Sequence, residues 1–250
     1  SLVGSEMCIR DRNYDDKFLR AAKLPAHVKP VWFSLADENA DVCALSIRQE
    51  EDGMSFVLED QEEGTFVVKI PAMGKHNVAN ALAAYCAATR LGCDAKRVIH
   101  GLSNFEQTGR RQKVVDSEGV TVIEDCYNAN PVSMKASLDV LKEAKGRKVA
   151  VLGDMGELGT DEAALHAEVG THAGTCGIDA LYCAGPLCEH LAKAAKEADS
   201  KLEVRHFADR ESLMAELPKL LQDGDQILVK ASHFMEYGKI VEMLETAQKL

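Results

Sequence analysis

Short runs of alternating apolar and polar residues make up the chain between residues 42 and 70. Three such runs, 42–48, 54–59 and 65–70, are separated by the polar stretches E-D-G and Q-E-E-G. Alternation with a period of two is typical of half-buried strands, and short polar links that contain glycine are typical of turns. The pattern therefore predicts a three-stranded antiparallel meander.

The segments that follow have the composition of helices. Residues 76–91 are rich in alanine and lie between Gly74 and Gly92, and residues 95–102 follow them. Alanine has the highest helix propensity and glycine often follows a helix, so two helices are predicted. Residues 103–118 are polar, and we expect the boundary between two domains near Gly109.

From residue 120 onward, apolar runs and helical segments take turns. The pairs are 120–124 with 132–145, 148–152 with 161–175, 180–183 with 186–197, 204–207 with 209–221, and 226–229 with 238–248. This alternation predicts a Rossmann-like α/β fold, a mostly parallel sheet with helices on both faces. In such sheets ligands bind beyond the carboxyl ends of the strands.

Composition and charge exclude several classes of protein. The chain has 250 residues with 29 basic and 40 acidic side chains, and it contains no stripe of Lys and Arg. Nucleic acid is therefore not an expected partner. No apolar run approaches the roughly 20 residues that span a bilayer, and no signal peptide is visible, so a cytoplasmic protein is predicted.

The cysteines and the first twelve residues are two further features of the sequence. Most of the eight cysteines lie in apolar runs without a C-x-x-C pair, which indicates reduced core thiols. Cys183, Cys188 and His190 form one loose group that does not fit zinc spacing, and no metal site is predicted. Residues 1–12 show no periodicity and are excluded from the fold as a sequence scar, which would make the chain a fragment.

Polar residues follow the predicted strands of the second half, at ends that should meet at one edge of the sheet. They are Asp125, Asn128, Asn130, Ser133, Asp154, Lys230 and Ser232. A carboxylate can accept sugar hydroxyls, and amides can both donate and accept. Turn formation and helix capping are the alternative, since Asn and Asp favour those positions.

Two glycine motifs fail as nucleotide fingerprints. The loop 153–159 is spaced G-x-x-G-x-x-G rather than G-x-G-x-x-G, and Gly74-Lys75 lacks the rest of a P-loop.

Asn77 and Asn80, at positions i and i+3, lie on one face of the predicted helix, where they can contact an adenine edge or simply be solvated.

Four strings resemble the Mur ligase family. G-K-H-N-V-A-N-A-L-A-A at 74–84 is similar to its H-N-x-x-N-x-x-A-A motif, and D-C-Y-N-A-N-P at 125–131 resembles the branch that adds D-alanyl-D-alanine. The stretch 151–159 with His166, and residues 228–232, are similar to that branch too. One departure is His233, where the branch is expected to carry arginine, which weakens the case for an ionic contact with the dipeptide there.

The resemblance implies an enzyme that uses ATP and Mg²⁺ to join D-alanyl-D-alanine to UDP-N-acetylmuramoyl-tripeptide through an acyl phosphate. Residues 13–108 would belong to its central ATPase domain and 109–250 to its C-terminal domain. The P-loop and the main catalytic residues would lie upstream of Asn13. A monomer is expected.

Site roles follow from the same resemblance. Asn77 and Asn80 would contact adenine, Asp125 the ribose, and Arg110 the phosphates or ribose. Asn128, Asn130 and Ser133 would line the cleft, and Asp154, Lys230 and Ser232 would lie near the dipeptide. Two alternatives stay open: a sibling ligase such as folylpolyglutamate synthase, expected to show D-x-A-H-N-P, and a non-catalytic nucleotide-binding or structural module.

Overall fold

The computed structural model describes residues 11–50, 52–106, 113–117 and 119–246. The chain divides into two compact units, Ser1–Gln107 and Thr108–Leu250, and each unit has its own sheet. Among the described residues, no helix is both long enough and apolar enough to span a membrane.

The first unit is built on a five-stranded sheet with strands in chain order. The strands are β1 (Asp11–Asn13), β2 (Val31–Ser34), β3 (Val42–Gln49), β4 (Met54–Asp60) and β5 (Gly64–Ile70). β1, β2 and β3 run parallel, whereas β3, β4 and β5 pair antiparallel. The predicted meander is therefore confirmed.

In the described part of the first unit, the helices are α1 (Lys17–Ala21), α2 (Lys75–Arg90) and α3 (Ala95–Ser103). α2 and α3 confirm the two predicted helices. α2 buries Val78, Leu82 and Tyr85, which follow one another at helical spacing, in the core that also contains Phe56 and Leu58 of β4. Gly74 precedes α2 with a φ of 88°, in the left-handed region that glycine enters at little cost.

The second unit is an α/β domain with a six-stranded sheet. Its strands are β6 (Lys113–Ser117), β7 (Val120–Glu124), β8 (Lys148–Gly153), β9 (Ala180–Ala184), β10 (Glu203–Phe207) and β11 (Gln226–Lys230), arranged β10-β9-β8-β11-β7-β6. All neighbours are parallel except β6 and β7. Its helices are α4 (Pro131–Lys142), α5 (Glu162–Thr175), α6 (Cys188–Ala198), α7 (Arg210–Leu220) and α8 (Gly238–Thr246).

Both faces of this second sheet are covered. Val149 and Val151 of β8 pack in a cluster with buried residues of α7 and α8, and the intervening Ala150 and Leu152 are also fully buried, on the face of α4 to α6. α5 can approach α6 closely because Gly170 has no side chain; a β-carbon there would collide with the Leu191 carbonyl. The predicted mostly parallel sheet with helices on both faces is confirmed.

Two sequence interpretations need correction. Residues 113–117, taken as part of a polar connection, form the edge strand β6. Asp11 and Arg12, excluded from the fold with the residues before them, pair with Val31 and Trp32 in the first sheet. Both strands were missed because short strands at a sheet edge bury too few side chains to give a clear alternation.

Candidate functional site

The carboxyl ends of three adjacent strands of the second sheet bring predicted site residues together. β11 lies between β7 and β8, with Val229 opposite both Glu124 and Val151. The residues that follow or end these strands, Asp125, Lys230 and Asp154, are therefore neighbours, although far apart in the sequence. This edge is where ligands bind in open α/β sheets.

Lys230 and Asp125 form a buried ion pair at this edge. The Lys230 ammonium donates to Asp125 Oδ2 at 2.6 Å and to the Asn128 carbonyl at 3.1 Å. The Lys230 side chain is only 2% exposed, and a buried ammonium is tolerated only when it is paired and hydrogen-bonded. Asp125 is held further by its backbone amide, which donates to the Val229 carbonyl at 2.9 Å.

The two oxygens of Asp125 have different surroundings. Oδ2 accepts from Lys230 and lies 2.8 Å from the Ser137 hydroxyl, whose hydrogen is shared with the Ser133 carbonyl at 2.9 Å. Oδ1 has no hydrogen-bond partner among the described residues and is not enclosed, since the side chain is 12% exposed. A carboxylate oxygen in this state can accept a hydrogen from a ligand.

Asn130 and Ser133 form the N-terminal cap of α4. Asn130 Oδ1 accepts from the Ser133 amide at 2.8 Å, and Ser133 Oγ accepts from the Asn130 amide at 3.1 Å. This reciprocal capping box satisfies two amides that the helix leaves free. Asn128 Oδ1 accepts from the Ala129 amide at 2.8 Å. The capping alternative thus accounts for Asn130 and Ser133 without a ligand.

Ser232 connects two loops at the same edge. Its hydroxyl accepts from the Gly156 amide at 2.8 Å and donates to the Ala129 carbonyl at 3.4 Å. Its own amide donates to the Asp154 carbonyl at 3.1 Å. The residue is 4% exposed, so its polar atoms are used inside the protein.

Asp154 caps the neighbouring helix α6. Its carboxylate accepts from the Cys188 amide at 2.8 Å and from the Leu187 amide at 3.4 Å. A negative charge at a helix N-terminus is stabilised by the free amides and the helix dipole. Asp154 is 3% exposed, so it is buried beneath the loops at the carboxyl edge of the sheet.

The glycine-rich loop 153–159 is fixed from below by a fully buried histidine. His166 Nε2 accepts from the Met155 amide at 2.9 Å, and Nδ1 lies 2.7 Å from the Glu162 carbonyl. Because a carbonyl only accepts, the hydrogen of the neutral ring belongs on Nδ1. The sequence motif that contains His166 does not predict this structural role.

The thiols beside the site are poor nucleophiles. Burial raises the pKa of the Cys126 thiol to about 12, with a further contribution from Glu124 and Asp125. The pKa of Cys188 is raised by its hydrogen bond with Cys183 and by burial. Both thiols are therefore protonated at neutral pH and unsuited to covalent catalysis.

Sequence reasoning missed two groups at this edge. Ser137, which contacts Asp125, lies one helical turn after Ser133, and that spacing was the available signal. The Tyr237 hydroxyl donates to the Leu152 carbonyl at 2.9 Å beneath Gly153, where a β-carbon would collide with the tyrosine ring. No local pattern marks Tyr237 as part of the edge.

In the first unit, the two predicted amides contact each other. Asn77 Nδ2 donates to the Met73 carbonyl at 2.8 Å, and Asn80 Nδ2 donates to Asn77 Oδ1 at 3.2 Å. This confirms that they lie on one face of α2, and Asn80 is exposed. Arg110, predicted to contact phosphates or ribose, lies outside the described residues.

Two domain families match the chain. The Mur ligase middle domain matches residues 8–88, and the family described as Mur ligase, glutamate ligase domain, matches residues 109–233. The UDP-N-acetylmuramoyl-tripeptide–D-alanyl-D-alanine ligase of Bacillus subtilis strain 168 is 36% identical over 201 residues, which cover 79% of this chain and 43% of that relative.

Solved structures agree with these matches. MurF from Acinetobacter baumannii aligns with a TM-score of 0.81 at 27% identity, over 94% of this chain and 51% of that one. MurF ligase from Thermotoga maritima in complex with ADP aligns with a TM-score of 0.79 at 25% identity, over 96% and 53% respectively. The chain thus spans less than half of the Bacillus subtilis relative and about half of each solved structure. The two domain matches, which follow each other along the sequence, establish that the chain belongs to the Mur ligase family.

Proposed function

We propose that the chain is part of a cytoplasmic, monomeric ligase that uses ATP to join D-alanyl-D-alanine to UDP-N-acetylmuramoyl-tripeptide for peptidoglycan synthesis. Residues 13–108 would be the end of its central ATPase domain, and 109–250 its C-terminal domain. The observation that carries the proposal is Asp125, which offers one accessible carboxylate oxygen at the carboxyl edge of the second sheet. The relatives that bear the name of this activity support the choice of substrates.

The nucleotide roles fit the residues that are described. Asp125 Oδ1 would accept a ribose hydroxyl, because an ionised carboxylate is an acceptor only. Asn80, oriented by Asn77, would present its amide to an adenine edge. The exposed Asn128 and Asn130, with Ser133, would face bound ligands at the carboxyl edge of the second sheet, and Arg110 would contact phosphates or ribose. When bound, ATP would supply the phosphoryl group that activates the tripeptide carboxylate.

Magnesium is a different case. Within the described ranges, no group of three or more His, Cys, Asp and Glu side chains is placed to hold a metal ion. No step is therefore assigned to Mg²⁺ at these residues, although the proposed activity of the whole protein includes it.

The test is a chimera of this chain with the part of the Bacillus subtilis relative that it does not cover. We expect ADP release that requires both UDP-N-acetylmuramoyl-tripeptide and D-alanyl-D-alanine. Asp125→Asn should raise the KM for ATP about tenfold, by weakening one hydrogen bond to a charged group. A chimera that instead requires glutamate as the amine would contradict the proposal and favour a sibling ligase.

The second candidate, a non-catalytic nucleotide-binding module, has one observation in its favour. The 250-residue sequence contains no G-x-x-x-x-G-K-[ST] string, whose backbone amides cradle phosphates. We therefore expect the isolated chain to bind adenine nucleotides weakly and to hydrolyse none. Measured ATP turnover by the purified chain would contradict this expectation.

A further inference from the structure

The buried lysine at the end of β11 has a more specific role than contact with a substrate. We propose that Lys230 is a positioning residue that fixes Asp125 and its loop, and that it does not touch the incoming dipeptide. The inference rests on the proposed function for the identity of the ligand that Asp125 binds. Its structural part depends only on contacts within the second unit.

The geometry leaves the ammonium little freedom. Lys230 is 2% exposed, and its nitrogen already serves Asp125 Oδ2 at 2.6 Å and the Asn128 carbonyl at 3.1 Å. The third N–H of the ammonium is enclosed with the rest of the side chain, so Lys230 could reach a dipeptide carboxylate only by moving outward. That movement would break the ion pair and leave Asp125 without its cation, which is strongly unfavourable.

Lys230 also determines how Asp125 can act. The ammonium occupies Oδ2, so only Oδ1 is left to accept from a ligand. Because the pair carries no net charge, a carboxylate can stand near a polyanionic nucleotide with less repulsion than a lone carboxylate would exert. Asp125 then recognises a ligand hydroxyl through one carboxylate oxygen rather than through both.

Ser232, two residues beyond Lys230, holds the same loop at the next position. Lys230 binds the Asn128 carbonyl and Ser232 binds the Ala129 carbonyl, while Ser232 also holds the Gly156 amide. The end of β11 thereby ties the loop after β7 to the loop after β8. Ser232 is accordingly a second positioning residue, again without contact to the dipeptide.

Hydrogen exchange in the full 250-residue chain tests the structural part. Lys230→Met should accelerate exchange of the amides of residues 125–130 about tenfold and leave those of β9 and β10 unchanged. The matched control is Lys148→Met, because Lys148 starts β8 and its ammonium forms a long pair of 3.8 Å with the half-exposed Asp179 and a 3.5 Å contact with the Gly146 carbonyl. Unchanged exchange at 125–130 would overturn the proposal.

A double variant covers the case in which Lys230→Met does not fold. Lys230→Met with Asp125→Asn leaves no unpaired charge, so the domain should fold, yet the Asn128 carbonyl still lacks its donor. We expect fast exchange at 126–130 in the double variant. Exchange at 126–130 equal to that of the wild type would show that Lys230 does not hold the loop.

The ligand part is tested in the chimera described above. Lys230→Met should weaken ADP binding about tenfold, weaken 2′,3′-dideoxy-ADP binding less than twofold, and leave the KM for D-alanyl-D-alanine unchanged. A raised KM for the dipeptide with unchanged ADP affinity would overturn the proposal. An inactive chimera that still shows the exchange result would count against the proposed ligase and not against Lys230 as a positioning residue.

Discussion

The two edges of the second sheet each hold an ion pair with a buried aspartate, and the two aspartates differ in how they are enclosed. At the amino edge, the Arg147 guanidinium donates to Asp225 at 2.8 Å, to the Tyr182 hydroxyl at 3.0 Å and to Glu203 at 3.2 Å. Tyr182 in turn donates to Glu203 at 3.0 Å. This network ties the starts of β8, β10 and β11 to the middle of β9.

The difference lies in the oxygen that each buried aspartate leaves unused. Asp225 Oδ1 has no hydrogen-bond partner in the described part of the chain, but its side chain is 0% exposed and no ligand can reach it. Asp125 Oδ1 likewise has no hydrogen-bond partner among the described residues, but it is accessible, because its side chain is 12% exposed. A buried ion pair by itself therefore does not indicate a binding site, whereas an accessible unused acceptor beside one does.

The largest expected effect is at the amino edge. Arg147→Met should lower the free energy of unfolding by roughly 3–5 kcal/mol, because Asp225 would be left buried and unpaired. Urea denaturation followed by circular dichroism measures the loss. Arg205→Met is the matched control, since Arg205 approaches the same Glu203 at 3.5 Å but is half exposed, and it should cost less than about 1 kcal/mol. Equal losses would contradict the role given to the network.

A smaller loss is expected at a structural position of the carboxyl edge. Gly185→Ala should cost about 2–4 kcal/mol, because φ is 121° and the new β-carbon would lie 2.5 Å from the Asp154 carboxylate. Gly177→Ala shares the positive φ, at 87°, but meets nothing within 4 Å, so about 1 kcal/mol is expected there. Similar melting temperatures for the two variants would show that Asp154 moves aside easily.

The sequence was sufficient to predict the elements that alternate strongly. β8, β9 and β11 are apolar runs buried on both faces, and helical segments alternate with them, so their order follows from the pattern. β10, a partly exposed edge strand, was predictable because a helix follows it in the same alternation. β6 was missed because it is an edge strand whose Val114 is 49% exposed. β6 is held by backbone hydrogen bonds to β7, and these bonds do not depend on which positions are apolar.

The location of the candidate site at the carboxyl edge of the second sheet was predictable from the sequence. Because the carboxyl ends of parallel strands meet at one edge, the predicted strands were enough to place Asp125, Asp154, Lys230 and Ser232 at the same edge. Their burial could not be predicted, since a lysine at a strand end is ordinarily exposed. Only the approach of Asp125, 105 residues away in the chain, accounts for a buried ammonium.

A smaller loss of stability is expected at Asn130, where substitution can distinguish a helix-capping role from ligand binding. Asn130→Ala should cost about 1 kcal/mol, because α4 loses its N-terminal cap. Asn130→Asp keeps the capping oxygen and should restore stability in thermal denaturation. If the amide also binds nucleotide, the aspartate variant of the chimera should keep a raised KM for ATP. Recovery of both properties would leave Asn130 with a capping role only.

The smallest effect is expected at an exposed pair beyond the end of β11. Glu236 contacts Lys239 at 2.6 Å and Arg210 at 2.9 Å, and these two cations, Lys239 first, lower the pKa of its carboxyl to about 2. A lowered pKa in the folded state contributes stability above the unfolded value of about 4.3, and that contribution is lost as the pH falls toward 2. Glu236→Gln should therefore be slightly less stable than the wild type at pH 6 and indistinguishable from it at pH 2 by thermal denaturation. Since the pair is exposed, the difference at pH 6 should shrink in 1 M salt, unlike the loss in Arg147→Met. A stability difference that persists in high salt would mean that the ion pairs of Glu236 are as insensitive to screening as the buried pairs. Exposure would then not explain the difference between the two kinds of pair.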